Sequence, residues 1–249
     1  MDLSIILPIK NEAENIKSLY EELKNVLNPL KIDYEIICVN DGSSDNSLKF
    51  LKELATQDLK VKIIDFKTNF GQTAAMSAGI KNAQGEIIMP MDSDLQNDPA
   101  DIPNFITKIN EGYDVVSGWR KNRKDKMLSR KIPSWIANWL LGIITKVKIH
   151  DYGCSIKAYR RDMIKEVNLY GEMHRFIPAY IYWQGGKVTE IVVNHRPRIH
   201  GKTNYNIYRT FRVILDLVVL RFLFKYINRP MHFFGGIGFA SFFIGIIFG

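Results

Sequence analysis

The sequence predicts an α/β protein: a mostly parallel sheet flanked by helices, followed by amphipathic juxtamembrane helices and a C-terminal transmembrane segment. Three observations predict it. Short apolar runs alternate with helical patterns through the first half of the 249 residues, acidic and amide residues gather directly after those runs, and the chain ends in an uncharged apolar stretch.

The runs at 3–8, 34–39, 61–66 and 86–91 are short, rich in Ile and Val, and bounded by turn residues, as strands buried on both faces are. Helical patterns follow at 13–27, 45–57, 72–83 and 100–111, completing four strand-helix units. A fifth strand is expected at 114–117 and a later one at 188–193, with no internal repeat and no low-complexity linker. Open sheets of this kind bind ligands beyond the carboxyl ends of their strands. The segments to inspect are therefore 8–12, 40–45, 69–72 and 91–96.

A composition of 46% hydrophobic and 24% charged residues excludes wholesale disorder and a polytopic membrane protein. Two cysteines, Cys38 and Cys154, are too few for a disulfide framework or a cysteine zinc site and point to a reducing compartment; Cys38, in an apolar run, is expected simply to pack. The net charge of +8 divides unevenly. Residues 1–119 carry 11 Lys and Arg against 19 Asp and Glu, whereas residues 120–249 carry 23 against 7. A basic half of this kind suits nucleic acid, an anionic membrane surface or a phosphorylated ligand.

The end of the chain decides among these. Residues 233–248 carry no charge and are rich in Gly, which favours a membrane segment over a soluble helix. Sixteen residues fall short of the roughly 20 that cross a bilayer, so the start of a transmembrane helix, cut short by the chain's end, is expected at 231–249. Before it, 205–230 reads as a juxtamembrane region. Arg209, Arg212 and Asp216 can share one helical face, leaving Ile214, Leu217 and Val218 toward the other, as in a helix lying among lipid headgroups. No basic region precedes the first apolar run, so no secretory signal is expected. Residues 1–204 are expected to form one catalytic domain on the cytoplasmic face of the membrane, with no nucleic-acid partner.

No Gly-x-Gly-x-x-Gly and no phosphate-binding Gly-x-x-x-x-Gly-Lys-Ser/Thr follows the first strand, which counts against a dinucleotide oxidoreductase and a phosphate-loop nucleotidase. Asp92-Ser93-Asp94 instead ends a strand with two carboxylates, hard oxygen ligands for Mg2+ or Mn2+ bridging a diphosphate; the plainer reading is a solvated turn. Asp41, after the second strand, suits a hydrogen bond from a nucleobase or a turn in which Ser44 or Asp45 caps the next helix. Glu12 suits a ligand contact or the first turn of a helix.

Together and in this order, Pro8-Ile9-Lys10-Asn11-Glu12, Asp41-Gly42-Ser43 and Asp92-Ser93-Asp94 resemble glycosyltransferase family 2, whose Rossmann-like fold is called GT-A. Four segments of the second half narrow the resemblance: Ser117-Gly118-Trp119-Arg120, Leu128-Ser129-Arg130-Lys131, the run from Asp151 to Lys157, and the run from His195 to Gly201. These are similar to the polyisoprenyl-phosphate glycosyltransferases, a group that includes dolichyl-phosphate mannose synthases and bacterial undecaprenyl-phosphate glucosyltransferases. The resemblance covers residues 3–249.

It implies nucleotide-sugar contacts at Pro8, Lys10, Glu12, Val39, Asp41, Asp92, Ser93, Asp94 and Gln96. Metal contacts fall to Asp94 and Gln96, with Asp92 as a further candidate, and the cofactor to Mg2+ or Mn2+. Acceptor-phosphate contacts fall to Arg120, Arg130, Ser134, Arg198 and Lys202, and the catalytic roles to Asp94, Arg120, Arg130 and Arg198. Lys10 stands where relatives often have Tyr, and Thr203-Asn204 where they have Ser-Lys, which brings Lys202 into consideration.

The implied reaction is inverting, metal-dependent transfer of a hexose, UDP-glucose first, to polyprenyl phosphate at the bacterial inner membrane for cell-envelope glycosylation. GDP-mannose or a UDP-aminopentose as donor, a polysaccharide hydroxyl as acceptor, and a catalytically silent membrane module are the alternatives; a homo-oligomer is left open. A lipid phosphate is already anionic and needs steering rather than deprotonation, which a basic half full of arginine forks supplies. Arg123, Lys124 and Lys126 are expected to be a solvated or lipid-facing loop, Asp151 to organise its loop, and His174 and Arg175 to be structural.

Overall fold

The structure, a computed structural model, describes residues 1–121, 141, 142, 145–167, 169, 171, 173–197, 219, 222 and 230–248. The chain falls into two compact units, Met1–Asn204 and Tyr205–Gly249.

In the first unit, strands β1 (Leu3–Ile9), β2 (Tyr34–Asp41), β3 (Val61–Phe66), β4 (Ile87–Pro90), β5 (Val115–Trp119), β6 (Lys157–Arg160) and β7 (Val188–Val192) form one sheet in the order β3-β2-β1-β4-β6-β5-β7. Helices α1 (Ala13–Leu27), α2 (Ser47–Gln57), α3 (Gln72–Asn82), α4 (Ile102–Asn110), α5 (Arg161–Ile164) and α6 (Ile177–Trp183) cover its faces.

The alternation along β1 divides the core. Leu3, Ile5, Leu7 and Ile9 face one cluster with Ile16, Leu19, Leu23 and Leu27 of α1, Leu51 of α2 and Phe105 of α4. Ile6 faces the other with Ala75, Met76 and Ile80 of α3, Ile164 of α5 and Ile181 of α6. Each fully buried Leu or Ile contributes about 1.5–3 kcal/mol, so two such layers hold the sheet from both sides. Helix α1 buries a stripe at the 3–4 residue spacing of an amphipathic helix. Helix α3 lies close on β1 because residue 79 is glycine: a Cβ there would stand 2.4 Å from Ile6 Cγ2.

The expected elements match in kind, with ends shifted by a few residues at most. What the sequence reading did not include is β6, which runs antiparallel to both β4 and β5, nor α5 and α6. Strand β6 enters at the carboxyl end of its neighbours, bringing Lys157 opposite Ser117. Its approach needs Gly118, where a Cβ would meet Cys154 Sγ at 2.8 Å. Cys38 and Cys154 are both free and buried, and burial pushes their thiols up to about 12 and about 11.

In the second unit α7 (Pro230–Phe248) is one continuous helix. It is apolar all round and exposes Phe234, Phe239, Phe242 and Ile247, among others, with no residue of the helix buried. Nineteen residues make it long enough and apolar enough to cross a membrane, at about 1.5 Å of rise each. The expected headgroup helix at 205–228 lies outside the described residues, apart from Val219 and Phe222.

The end of the sheet remote from the ligand side is tied by Glu35, whose side chain is fully buried. It accepts from Ser4 Oγ at 2.6 Å and the Gln84 N–H at 2.7 Å, and pairs with Lys62 Nζ at 2.6 Å. Burial raises its carboxyl, but these three donors outweigh burial and hold it below its ordinary value. A depressed carboxyl stabilises the fold above its unfolded pKa and loses that contribution as pH falls through the folded value. Glu35→Gln should therefore destabilise by about 1–3 kcal/mol at pH 7. The gap to wild type should narrow below the ordinary carboxylate range, as read by urea unfolding at several pH values; a gap independent of pH would refute the assignment.

Candidate active site

Four loops meet at the carboxyl ends of β1, β2, β3 and β4. The loop after β1 and the loop after β2 are laced together. Asn11, at φ 55°, accepts from the Ser44 N–H at 2.8 Å and donates its own N–H to Ser43 Oγ at 3.0 Å. The start of α1 has no side-chain cap of its own; Asp45 accepts from the Ala13 N–H and Ser47 Oγ from the Glu12 N–H. Burial raises the Asp45 carboxyl, and its bonds to Ser47 and the Ala13 N–H outweigh that and hold it low. Lys10 donates to the carbonyls of Asp41 and Gly42, so its ammonium braces the second loop. Glu12 accepts from Asn15 Nδ2.

Asp41 is buried, and its two oxygens accept from the Phe70 N–H at 2.7 Å and the Gly71 N–H at 2.9 Å. It thereby fixes the loop that leads into α3. The following residue must be glycine: Gly42 sits at φ 59°, and a Cβ would fall 2.5 Å from the carbonyl carbon of Thr68. Val39 is fully buried in the α3 side of the core, and Pro8 offers its carbonyl to Ser93 Oγ at 2.9 Å.

The Asp92–Gln96 turn carries the acidic pair. Gln72 at the start of α3 donates to Asp92 Oδ1 at 2.7 Å, and Asp94 Oδ1 accepts from the Gln96 N–H at 3.1 Å. Leu95 takes a left-handed conformation, φ 62°, that turns the chain between them. Burial raises the Asp92 carboxyl and the nearby Asp94 charge raises it further; Ser155, Arg120 and Lys157 pull it down without cancelling the rise. Two adjacent carboxylates in a buried place, with an amide beside them, are hard oxygen donors that a divalent cation suits. Among the described residues no group of three or more His, Cys, Asp or Glu could hold a metal.

Arg120, at the end of β5, faces this pair. Its Nε and Nη2 meet Asp151 Oδ2 at 2.7 Å and Oδ1 at 3.0 Å, a two-pronged pair that is almost wholly buried. Burial works against the guanidinium's charge, yet Asp151 overrides it and raises the pKa. Arg120 thus holds its loop as well as lending positive potential to Asp92. Arg130, Ser134, Arg198 and Lys202 lie outside the described residues, as do Arg123, Lys124 and Lys126.

Sequence reasoning passed over several residues that the fold gathers here. Ser155 accepts from Asn97 Nδ2 at 2.9 Å and helps hold down the Asp92 carboxyl. Thr73 Oγ1 meets His174 Nδ1 at 2.7 Å. Buried Lys157 bonds the carbonyls of Tyr152 and Cys154. Gln72 and Lys157 both stand in segments that had been singled out for their position, but only strand pairing shows which neighbours they meet. Arg196 is bound by Glu22 at 2.6 Å and Asp98 at 2.7 Å, and its N–H donates to the Gln96 carbonyl, pinning 194–197 along the acidic turn.

The whole first unit has relatives. A dodecaprenyl-phosphate galacturonate synthase of Rhizobium johnstonii is 48% identical over 242 residues, 96% of this chain and 72% of that one. An undecaprenyl-phosphate 4-deoxy-4-formamido-L-arabinose transferase of Pseudomonas fluorescens is 34% identical over 99% of this chain and 71% of its own length. Among solved structures, glucosyl-3-phosphoglycerate synthase from Mycobacterium tuberculosis, in complex with Mn2+, UDP and phosphoglyceric acid, superposes with a TM-score of 0.67 over 90% of this chain and 78% of that one, at 14% identity, which establishes the shared fold. The family model for glycosyl transferase family 2 matches residues 4–167. With the mixed sheet, the acidic turn beyond β4 and these relatives agreeing, the chain belongs to glycosyl transferase family 2.

Proposed function

We propose that this glycosyltransferase moves a sugar, with inversion, from a uridine diphosphate carrier to a polyprenyl phosphate. The observation that carries the reading is the engagement of Asp151: both its oxygens are held by Arg120, so this carboxylate is committed to an ion pair rather than poised as a base. A hydroxyl acceptor needs a base, whereas a phosphate monoester arrives ionised. The names of the relatives, both polyprenyl-phosphate enzymes, support the same acceptor.

Within this reading Asp41 and the braced loops after β1 and β2 receive the nucleoside. Asp94 and Gln96, with Asp92 beside them, would hold Mg2+ or Mn2+; such an ion supplies charge neutralisation for the leaving diphosphate. Arg120 adds positive potential at the acidic turn, and Arg130, Ser134, Arg198 and Lys202 take the acceptor phosphate. Helix α7, long and apolar enough to cross a membrane, would anchor the chain to the bilayer that carries a prenyl-phosphate acceptor, with the catalytic unit on the cytoplasmic face of a bacterial inner membrane. The domain limits proposed with this reading are 1–204, 205–230 and 231–249.

UDP-glucose is the donor that the resemblance to the bacterial glucosyltransferases favours; the names of the two relatives favour a uronic acid or a formamidopentose. A panel of UDP-glucose, UDP-galacturonic acid, a UDP-aminopentose and GDP-mannose, incubated with undecaprenyl phosphate and membranes containing the enzyme, should give one lipid-extractable product from a UDP donor. Product from GDP-mannose alone would overturn the base assignment, and transfer only to polysaccharide would overturn the acceptor.

Asp94→Ala should lower turnover by about 100-fold or more and abolish the metal dependence of UDP binding, because it removes one of only two carboxylates at the turn. Undiminished activity of that variant in EDTA would remove the metal from the scheme.

Arg130→Ala should lower kcat/KM for polyprenyl phosphate by about 10- to 150-fold, the loss of one charge-assisted phosphate contact, with donor affinity much less affected. Asp151→Asn should keep measurable turnover, with a pH profile that follows the second phosphate ionisation. A folded but inactive Asp151→Asn beside a near-normal Arg130→Ala would favour a hydroxyl acceptor.

A further inference from the structure

Lys157 is buried at the first position of β6, where a side-chain cation is costly unless it has work that a neutral residue cannot do. Its ammonium reaches the carbonyls of Tyr152, at 3.3 Å, and Cys154, both in the loop that precedes the strand. That loop has two arms. At one end Asp151 grips the Arg120 fork; at the other Ser155 Oγ accepts from Asn97 Nδ2 at 2.9 Å, just past the acidic turn. The loop is tight against its partners, since a Cβ on Gly153 would stand 3.4 Å from Arg120 Nη2 and 3.5 Å from Asp151 Oδ1.

We propose that Lys157 is a positioning residue for sugar transfer: by gathering the two carbonyls between the arms, it sets the distance between the Arg120–Asp151 pair and the Asp92–Asn97 turn. The inference rests on the functional reading above. Lys157 touches neither reacting group in this account. It acts through a loop whose ends hold the cation beside the acidic turn and the turn itself, so a small displacement of the loop misaligns donor and acceptor charge without unmaking the nucleoside site. The strand register supports this: Lys157 pairs with Ser117, two residues before Trp119 and three before Arg120, so one cross-strand position links all the parts.

The groups facing Lys157 are Asp151 and Cys154 of its loop, Arg120 from the end of β5, Arg175 from the Met173–Arg175 turn and Asp92 across the site. Burial, aided by the two arginines, lowers its ammonium to about 8 against the opposing pull of Cys154 and Asp151. Its positive charge is therefore present below that pH and is lost as pH rises through it. An arginine at the same place would stay charged.

The test compares full-length wild type, Lys157→Met and Lys157→Arg in membranes, with UDP plus Mn2+ as the binding probe and steady-state transfer as the rate. Lys157→Met should lower kcat by about 100-fold, the order expected for a misplacement near 1 Å, with UDP affinity changed by less than about threefold. Lys157→Arg should restore kcat to within about tenfold and move the alkaline arm of kcat/KM for the donor to higher pH. If Lys157→Met does not accumulate as folded protein, the alkaline arm of Lys157→Arg decides alone: a shift supports the proposal, and an arm that coincides with wild type refutes it. A folded Lys157→Met with kcat within about twofold of wild type would also refute it, as would equal losses of UDP affinity and kcat in both variants. Rates are read on whichever acceptor wild type uses, so a wrong acceptor overturns the functional reading and leaves the Lys157 comparison readable.

Discussion

The end of the sheet that carries the acidic turn depends on one buried ion pair, Arg120 with Asp151. An arginine taken out of water is stable only if its charge and donors are matched, and removing one partner of such a pair strands the other at a cost of about 3–5 kcal/mol. Asp151 satisfies the fork and, through its loop, commits the chain to enter β6 where it does. Strand β6 then separates β4, which ends in the acidic turn, from β5, which ends in the arginine. Without that inserted strand the two charges would have no fixed separation.

Around this pair the site is built by loops that satisfy one another rather than by regular elements. Helix α1 borrows its caps from the loop after β2, Asp41 accepts from the loop before α3, and Ser93 reaches back to Pro8. Each bond crosses between segments far apart in sequence, so this end of the sheet is assembled cooperatively. Gly42 and Gly79 serve the same end by letting backbone and helix approach where any side chain would collide.

The charge asymmetry between the halves of the chain acquires a local meaning. Asp41, Asp92 and Asp94 lie at or just beyond strand ends of the first half, and the second half supplies Arg120 and Lys157 beside them. Asp92 shows the tension directly, raised by burial and by Asp94 and restrained by Ser155, Arg120 and Lys157. Outside this division of charge stands α7, an uncharged apolar helix most of whose large side chains are exposed among the described residues.

Local pattern was enough for most of the first half. The buried strands and the helices between them follow from runs and periods that any window of a dozen residues displays, and the acidic turn after β4 follows from placing Asp92 and Asp94 at a strand end. Strand β6 was not legible, because Lys157-Ala158-Tyr159-Arg160 is four residues long and begins and ends with a cation. Nor were the roles of Gln72 and Ser155, or the capture of Arg120 by Asp151, since each depends on a partner 20 to 58 residues away that only the fold brings near. The sequence by itself determined the layers and the chemical types at the strand ends, because those rest on hydrophobic period and turn chemistry. Only the tertiary structure decided which charges pair, because electrostatic partnership is set by distance and burial, and neither is written in neighbouring residues.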